Sequence, residues 1–480
     1  MKKSTKIVAT VSDMRCDIPF VKSIVDEGVN VVRLNSAHMD HEGFDRVIDN
    51  TRAVSKHVAL LMDTKGPEVR TTKAEKPLIM VTGKTVEIIA DPDKLSTEEC
   101  IAVNYSGFVH DVPVGSKVLF DDGLIELEVV DKDEHRLVCT VSNDGELGSR
   151  KSVNVPYVQI KMPSLTERDK NTIQYCIDKE VDFIAHSFVR SKEDVMDIQK
   201  ILNEHDSPIK IISKIENQEG VDNIDEIIDA SYGIMVARGD LGIEIPQEKI
   251  PAIQSMIIRK CIAKKKPVIV ATQMLHTMIT SPRPTRAEVS DVATAILSRT
   301  DAVMLSGETA YGKYPVEAVR TMSRIIHEAE LNKTFLNSPK SEEDDELADV
   351  TSFLSKQAVK SIDKLSVKAI ITDSFSGRTA RHLSAYRGSA PVYAICYNDR
   401  VARELALSFG IWTIHQDKVK SKRGYYIKAL KSLIAAGMLR REDMIAYIGG
   451  NLAWELGTTI LELSRAEDAI DFYEENGDPC

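Results

Sequence analysis

The sequence of 480 residues has few cysteines and none of the spacings that cysteine chemistry requires. Its seven cysteines stand alone, with no Cys-x-x-Cys pair. This argues against a disulfide scaffold and a cysteine zinc site, and it favours a reducing compartment. The first residues, "MKKSTKIVATVSDMRCD", lack the apolar core of a signal peptide, and no apolar run is long enough to span a bilayer. We therefore expect a cytoplasmic protein that does not bind membranes.

The sequence is also short of positive charge and of glycine-rich nucleotide motifs. It has 62 Lys and Arg against 73 Asp and Glu, a formal net charge of -11, and the basic residues are scattered. A nucleic-acid partner is not expected, because such proteins need a basic stripe. There is no Gly-x-Gly-x-x-Gly, and "GKT" at Gly83 lacks the upstream glycine of a phosphate loop, since position 78 is Leu78.

What the sequence does contain is a repeat of short apolar runs and helix-length amphipathic stretches. This alternation predicts parallel strands joined by crossover helices. The number of units matches a β/α barrel. The eight runs begin at Lys6, Val29, Val58, Asp182, Ile209, Tyr232, Pro267 and Asp301.

Two further segments interrupt or follow this repeat. The segment between the third and fourth runs is rich in Val and turn dipeptides and predicts an inserted all-β domain, placed where a lid would cover a barrel active site. A polar stretch, "LNKTFLNSPKSEEDDELAD", precedes a new α/β pattern. We predict an α/β protein: a (β/α)8 TIM barrel (1–68 and 162–332), an inserted all-β lid domain (69–161) and a C-terminal three-layer α/β domain (347–480).

Polar side chains follow six of the eight barrel runs. Because the carboxyl ends of parallel barrel strands face one cavity, these side chains converge. Side chains alternate between the two faces of an extended strand, so Lys214 and Glu216 in the sequence "KIE" point to the same side. A solvated strand end would explain any one of these charges, but their convergence favours a site. The residues are Arg33, Asn35, Asp63, Thr64, Lys65, Lys214, Glu216, Arg238, Asp240, Thr272, Ser306 and Glu308.

Two of these carboxylates, Glu216 and Asp240, follow adjacent strands and are the hard oxygen ligands that Mg²⁺ or Mn²⁺ prefers. Lys214 and Arg33 beside them would form a cationic pocket for a phosphate or an oxyanion. Gly239 is compatible with an ordinary turn, or with close approach of the backbone to an anion.

Several long motifs closely resemble those of the pyruvate kinase family. They are "VRLNSAH", "LMDTKGPEVRT", "ISKIEN", "MVARGDLG", "ATQMLHTMITSPRPTRAEVSDVATAI" and "DAVMLSGETAYGKYPVEAV". The resemblance extends over nearly the whole chain. It implies a glycolytic transferase that moves the phosphoryl group of phosphoenolpyruvate to ADP and gives pyruvate and ATP.

The resemblance also implies roles for the residues that match. Lys214 would stabilise charge on the phosphoryl group and on the enolate oxygen, and Arg33 would contact the phosphoryl group. Thr272 would lie near the carbon that is protonated. Glu216 and Asp240 would hold the divalent metal. The backbone of Arg238, Gly239 and Asp240 would bind the substrate carboxylate.

Nucleotide and cation sites follow from the same resemblance. Asn35, His38, Arg70 and Lys151 match residues that reach the nucleotide. Asn35, Asp63 and Thr64 match three ligands of a monovalent cation, usually K⁺. The usual serine ligand is replaced by Ala37, with Ser36 one residue early. Glu68 matches the acidic form that accompanies K⁺ dependence, whereas "VSDMR" at Val11 departs from the usual Gly-Pro near the adenine pocket.

The loop "TDSFSGRTA" in the C-terminal domain matches the place where allosteric members bind a phosphorylated effector. Its hydroxyls, Gly377 and helix N-terminal amides are compatible with an anion site, although composition alone favours an ordinary helix N-cap. The resemblance instead implies an anion site at the helix N-terminus and a homotetramer that responds to it. The candidate effector residues are Ser374, Ser376, Gly377, Arg378 and Thr379.

Two other functions are compatible with parts of this pattern. A metal-dependent aldolase or lyase of pyruvate or phosphoenolpyruvate could use the same pair of carboxylates, but it has no need of Arg70 and Lys151. A sensor or scaffold that had lost catalysis is not expected to retain Lys214, Glu216 and Asp240.

Overall fold

The computed structural model describes residues 3–331, 349–416, 422–450 and 457–476. Most of the polar stretch expected to link the barrel to the C-terminal domain lies outside the described residues. In the described ranges, no helix is long and apolar enough to cross a membrane.

The described chain begins with three strands and two helices of a barrel. Asp17 caps the first helix by accepting a hydrogen bond from the amide of Phe20, and Asp40 caps the second in the same way. The elements are β1 (Lys6–Thr10), α1 (Ile18–Asp26), β2 (Val31–Asn35), α2 (His41–Val54) and β3 (Ala59–Asp63).

An inserted β domain follows β3. Its six-stranded sheet has the order β11-β7-β8-β9-β5-β6, and β4 pairs separately with β10. Alternate residues of the strands point into a core of their own. The elements are β4 (Leu78–Met80), β5 (Thr85–Ile89), β6 (Cys100–Ala102), α3 (Phe108–Asp111), β7 (Lys117–Phe120), β8 (Ile125–Lys132), β9 (Arg136–Val141), β10 (Gly145–Leu147) and β11 (Val153–Asn154).

The chain then returns to the barrel for its remaining five strands. Capping boxes start two of the helices, Thr166 with Asp169 and Thr285 with Glu288. The elements are α4 (Glu167–Asp178), β12 (Phe183–His186), α5 (Lys192–Glu204), β13 (Lys210–Ile215), α6 (Gln218–Asp222), α7 (Ile224–Ala230), β14 (Gly233–Ala237), α8 (Arg238–Glu244), α9 (Ile250–Ala263), β15 (Val268–Ala271), α10 (Arg286–Leu297), β16 (Ala302–Leu305), α11 (Gly307–Ala310) and α12 (Pro315–Leu331).

The eight strands close into a parallel barrel in the order β1-β16-β15-β14-β13-β12-β3-β2. Each strand begins within two residues of the start of one of the eight apolar runs of the sequence. The strands are buried on both sides: one set of side chains packs against the helices, and the alternate set fills the barrel interior. The carboxyl ends of all eight strands therefore open at one end of the barrel.

The C-terminal domain is a five-stranded sheet between two layers of helices. Its strand order is β19-β18-β17-β20-β21, and only β21 is antiparallel to its neighbour. Separate apolar clusters cover the two faces. The elements are α13 (Val350–Leu365), β17 (Ala369–Ser374), α14 (Arg378–Ala385), β18 (Val392–Cys396), α15 (Asp399–Glu404), β19 (Ile411–His415), α16 (Lys422–Ala435), β20 (Met444–Gly449), β21 (Ile460–Arg465) and α17 (Ala466–Asn476).

The C-terminal domain docks against the barrel through an apolar contact and buried ion pairs. Leu407, in a 3₁₀ turn after α15, is fully buried in the cluster that fills the barrel interior. Arg387 pairs with Asp301 at 2.6 Å, and Arg403 pairs with Asp182 at 2.7 Å. The sequence did not predict these contacts between domains.

Candidate active site

Lys214 lies at the centre of a buried ionic cluster at the carboxyl end of the barrel strands. Its Nζ atom is 3.0 Å from Oδ1 of Asp63 and 3.0 Å from Oε1 of Glu216. Burial alone would lower the pKa of Lys214, but the carboxylates of Asp63, Glu216 and Asp240 outweigh it and raise the pKa. The lysine therefore stays protonated at neutral pH.

Arg33 joins the same cluster from β2. Its Nε and Nη2 atoms each lie 2.7 Å from Oδ2 of Asp63, and Nη1 donates to the hydroxyl of Thr10 at 2.9 Å. Two cations thus share one carboxylate. Although burial opposes ionisation of Asp63, Arg33 and Lys214 lower its pKa.

Glu216 and Asp240 form the acidic side of the cluster. Glu216 is 2% exposed and its Oε2 accepts a hydrogen bond from the amide of Phe188 at 2.7 Å. The two carboxyl groups are in side-chain contact with each other. Burial raises the pKa of Glu216 to about 8, and burial also raises the pKa of Asp240. Two buried carboxyl groups in contact are stable as a pair of anions only when a cation neutralises them.

Thr272 and Gly239 form a second group of contacts beside the acidic pair. The amide of Gly239 donates to Thr272 Oγ1 at 2.7 Å, and the guanidinium of Arg238 donates to the carbonyl of Thr272 at 2.8 Å. Thr272 has a φ of 65°. This left-handed conformation is strained for a β-branched residue, and such strain clusters at functional sites.

Ser187 also lies in the cluster, and the sequence interpretation missed it. Its hydroxyl accepts from Lys214 at 2.7 Å and lies 2.7 Å from the carbonyl oxygen of Thr64. Thr10, the partner of Arg33, was missed as well. Thr10 is the last residue of β1 and Ser187 directly follows β12, so the strand-end rule includes both residues.

The residues expected to bind a monovalent cation are neighbours. Asn35 is the register partner of Asp63 across β2 and β3, and Thr64 follows directly. The amide of Ala37 donates to Asn35 Oδ1 at 3.1 Å, so Ala37 lies at the same turn but offers no side-chain oxygen. Ser36 lines a surface groove between α2 and α4 instead.

Comparison with known proteins identifies the family to which this chain belongs. A profile described as "Pyruvate kinase, barrel domain" matches residues 2–319, and one described as "Pyruvate kinase, alpha/beta domain" matches residues 353–460. The chain belongs to the pyruvate kinase family.

Individual members of the pyruvate kinase family align over almost the whole chain. A pyruvate kinase of Borreliella burgdorferi is 48% identical over 474 residues, covering 98% of this chain and 99% of its own. One of Bacillus licheniformis is 44% identical over 468 residues, covering 96% of this chain and 80% of its own. A crystal structure of a pyruvate kinase from Cryptosporidium parvum has a TM-score of 0.90 and 36% identity, covering 97% of this chain and 96% of that chain. The predicted family, fold class and function, that of a phosphotransferase, are confirmed.

Three of the residues that match the nucleotide site of pyruvate kinases, His38, Arg70 and Lys151, have described contacts outside the ionic cluster. Arg70 pairs with Glu68 and Lys151 pairs with Asp121, both at 3.0 Å. The described contacts of His38 consist of a backbone hydrogen bond to Asn35, and its side chain is exposed. Neither Arg70 nor Lys151 contacts Lys214 in the described structure.

A cavity of about 770 Å³ separates the inserted β domain from the barrel. Asp122, Ser152 and Asn154 line it from the inserted side, and Asp240 and Glu244 line it from the barrel. Burial raises the pKa of Glu244 to about 7, and Asn154 on the other side of the cavity acts in the opposite direction. Asp240 of the acidic pair therefore faces the space that the inserted β domain covers.

The candidate effector loop joins β17 to α14 in the C-terminal domain. Gly377 caps α14 with a φ of 76°, and Thr379 Oγ1 lies 2.7 Å from Thr458 Oγ1. The guanidinium of Arg378 pairs with Asp349. Ser374 is 2% exposed, and its hydroxyl has no hydrogen-bond partner among the described residues.

Proposed function

We propose that this chain transfers the phosphoryl group of phosphoenolpyruvate to the terminal phosphate of ADP, giving pyruvate and ATP, and that Lys214 is its central catalytic residue. The observation that carries this proposal is the position of the Lys214 ammonium, 3.0 Å from both Asp63 and Glu216 at the mouth of the barrel.

The chemistry of phosphoryl transfer explains why charge matters here. The transferring group carries negative charge on its oxygens, and the protein contributes mainly positioning and electrostatic stabilisation. Arg33 and Lys214 supply two fixed cations in a nearly dry site, where their effect is much larger than in water. After the phosphoryl group departs, Lys214 would stabilise the enolate oxygen that remains.

Glu216 and Asp240 are the residues that would hold Mg²⁺ or Mn²⁺. The donor set fits the group: both are hard oxygens, they contact each other, and Oε1 of Glu216 is buried with the Lys214 ammonium 3.0 Å away but with no bond of hydrogen-bond geometry. When bound, the divalent ion would neutralise charge on the substrate oxygens. Among the residues described, no cluster of three or more His, Cys, Asp and Glu side chains is arranged to hold a metal, which agrees with a Mg²⁺ that keeps most positions for water and substrate.

Asn35, Asp63 and Thr64 would hold K⁺. Their oxygens are hard donors that converge at the ends of two adjacent strands. The cation would add positive charge close to Arg33. Because Ala37 has no side-chain oxygen, one ligand position is left to water.

Binding and protonation of the enolpyruvate involve the second group of contacts. The backbone of Arg238, Gly239 and Asp240 starts α8 and presents amides suited to a carboxylate. Thr272, which contacts Gly239, would lie near the substrate carbon that gains a proton.

The nucleotide would bind between the inserted β domain and the barrel. Arg70 and Lys151 lie on segments that join the two, and the bridge between Arg70 and Ser152 brings those segments together. Asn35 and His38 would complete the nucleotide site from the barrel. This requires Arg70 and Lys151 to exchange their carboxylate partners, Glu68 and Asp121, for phosphate oxygens.

Regulation and assembly extend the proposal on the strength of the family resemblance. A phosphorylated effector would bind at Ser374, Ser376, Gly377, Arg378 and Thr379, and it would act on a homotetramer. The expected place of action is the cytoplasm.

The test is an assay of ATP formed from phosphoenolpyruvate and ADP, run with and without Mg²⁺ and with and without K⁺. ATP formation that needs both ions is the expected result. Absence of ATP, together with carbon–carbon cleavage of a pyruvate adduct, would instead identify the metal-dependent aldolase or lyase.

A further inference from the structure

The turn after the fourth barrel strand contacts both the lysine and an acidic residue of the candidate active site. Ser187 and Phe188 form this turn directly after β12. We propose that Ser187 is a positioning residue for phosphoryl transfer, whose hydroxyl fixes the Lys214 ammonium between Asp63 and Glu216. The inference rests on the proposed function and adds a residue to it.

The hydroxyl of Ser187 uses its one donor and one of its two acceptor positions in contacts with neighbouring residues. A serine hydroxyl can donate one hydrogen bond and accept two. Here it accepts from Lys214 Nζ at 2.7 Å and donates to the carbonyl of Thr64 at 2.7 Å, with Oδ1 of Asp63 also in reach at 3.2 Å. Ser187 is 2% exposed, so water does not substitute readily for its hydroxyl.

Ser187 is itself held on two sides. Its amide donates to Thr64 Oγ1 at 3.1 Å, while its hydroxyl bonds the carbonyl of the same threonine. Thr64 follows β3, and Ser187 follows β12, the neighbouring strand. This reciprocal pair locks two strand ends together, which fixes the point from which the hydroxyl reaches Lys214.

The backbone of the turn is strained in a way that serves the same end. Phe188 has a φ of 57°, which is unfavourable for a bulky side chain. In that conformation its amide donates to Oε2 of Glu216 at 2.7 Å. Gly66 packs against the turn so closely that a Cβ atom there would lie 2.8 Å from both Ser187 and Phe188. One strained turn therefore orients Lys214 and Glu216 together.

The two residues of the turn contact different residues of the site, which makes the proposal testable. The side chain of Ser187 reaches Lys214, whereas the backbone of Phe188 reaches Glu216. Removing only the hydroxyl is expected to disturb the lysine and leave the metal ligand in place. Outer-shell hydrogen bonds that orient metal ligands typically contribute about 10- to 100-fold to activity, and we expect a loss of similar size for the bond that orients Lys214.

The experiment compares Ser187→Ala with Ser213→Ala in the ATP-forming assay. Ser213 is a matched control, because it is a buried serine on β13 whose hydroxyl bonds Ser231 instead of a site residue. We expect Ser187→Ala to lower kcat about 10- to 100-fold, with the Mg²⁺ concentration for half-maximal activity within twofold of the native chain. Ser213→Ala is expected to leave both values unchanged. Ser187→Cys, which preserves packing, is measured in parallel. Its kcat replaces that of Ser187→Ala as the test if Ser187→Ala does not fold.

A double mutant shows whether Ser187 acts through Lys214. In a Lys214→Met background, Ser187→Ala is expected to cause no further loss of kcat, because the group it positions is gone. A full additional loss would overturn the proposal, as would a normal kcat of folded Ser187→Ala or Ser187→Cys. If the native chain forms no ATP, the proposed function is wrong, and so is the role of Ser187. If the native chain forms ATP and the Ser187 variants have normal kcat, only the role of Ser187 is wrong and the proposed function stands.

Discussion

The ammonium of Lys214 lies 3.0 Å from the carboxylate of Asp63, although 151 residues separate them in the chain. Both side chains are almost fully buried. A buried ion pair contributes little net stability, because desolvation of the charges offsets their attraction. A catalytic role explains the pair better, because Asp63 keeps Lys214 protonated and holds its ammonium in one position at the carboxyl end of the barrel.

Replacement of this lysine tests its role directly. Lys214→Met is expected to keep the fold and to lower turnover by about three orders of magnitude or more, since a preorganised charge at the reacting group is typically worth a few kcal/mol. The measurement is kcat in the ATP-forming assay. Lys210→Met is the control, because Lys210 lies at the opposite end of β13 and faces Glu404 of the C-terminal domain. Near-normal turnover of Lys214→Met would remove the residue from the mechanism.

The two acidic residues are expected to control the metal requirement. Glu216→Gln and Asp240→Asn each replace a charged oxygen ligand with a neutral one, so higher Mg²⁺ is needed for half-maximal activity. A titration of activity against Mg²⁺ measures the change. Glu193→Gln, an exposed carboxylate on α5, should leave the curve in place. Unchanged curves for both site variants would show that these residues do not hold the metal.

The alanine at position 37 is expected to weaken the response to K⁺. The native chain should need K⁺, and Ala37→Ser should reach half-maximal activity at a lower K⁺ concentration because it supplies a further oxygen ligand. Activity is measured against KCl, with tetramethylammonium chloride holding the ionic strength constant. Full activity of the native chain in tetramethylammonium alone contradicts a cation site.

Acid should destabilise the chain through His382. Burial, with help from nearby Lys265, lowers the pKa of His382 from 6.5 to about 4. Between pH 4 and pH 6.5 the unfolded chain binds the His382 proton more readily than the folded chain does. The contribution of neutral His382 to the free energy of unfolding is therefore fully present above pH 6.5 and is lost as the pH falls toward 4. The midpoint temperature of thermal unfolding is measured at pH 7 and at pH 4.5, and it is expected to fall less in His382→Gln than in the native chain. His57→Gln, at an exposed histidine, is the control, and equal losses in all three proteins would exclude His382 as the cause.

The C-terminal loop is expected to bind a phosphorylated effector. Saturation curves for phosphoenolpyruvate, measured with a panel of sugar phosphates and nucleotides, should shift to lower concentration with at least one compound. The double variant Ser376→Glu with Thr379→Glu should abolish that shift, because two carboxylates would repel the phosphate. No shift in the native chain, or a shift that survives both glutamates, would refute the site.

Hydrophobic periodicity made the barrel predictable, because each buried parallel strand is a compact apolar run such as that of β14. It also made Lys214 and Glu216 predictable, since two residues separated by one on a strand share a side. Ser187 also lies at a strand end, but serines are common at such positions, and its role is revealed only by its distance to Lys214. The pair of Arg387 and Asp301 was equally hidden, as 86 residues and a domain boundary separate them.

The insertion of Leu407 into the barrel has a consequence for the order in which the molecule is made. Synthesis on the ribosome proceeds from the N-terminus, and domains generally fold as they emerge. All eight barrel strands are complete by Leu305, but the leucine that packs against their interior side chains emerges about a hundred residues later. During that interval the nascent barrel displays an open apolar end. A chain terminated before residue 407 should therefore associate with chaperones more strongly than the full-length chain, and the last domain completes the folding of the first.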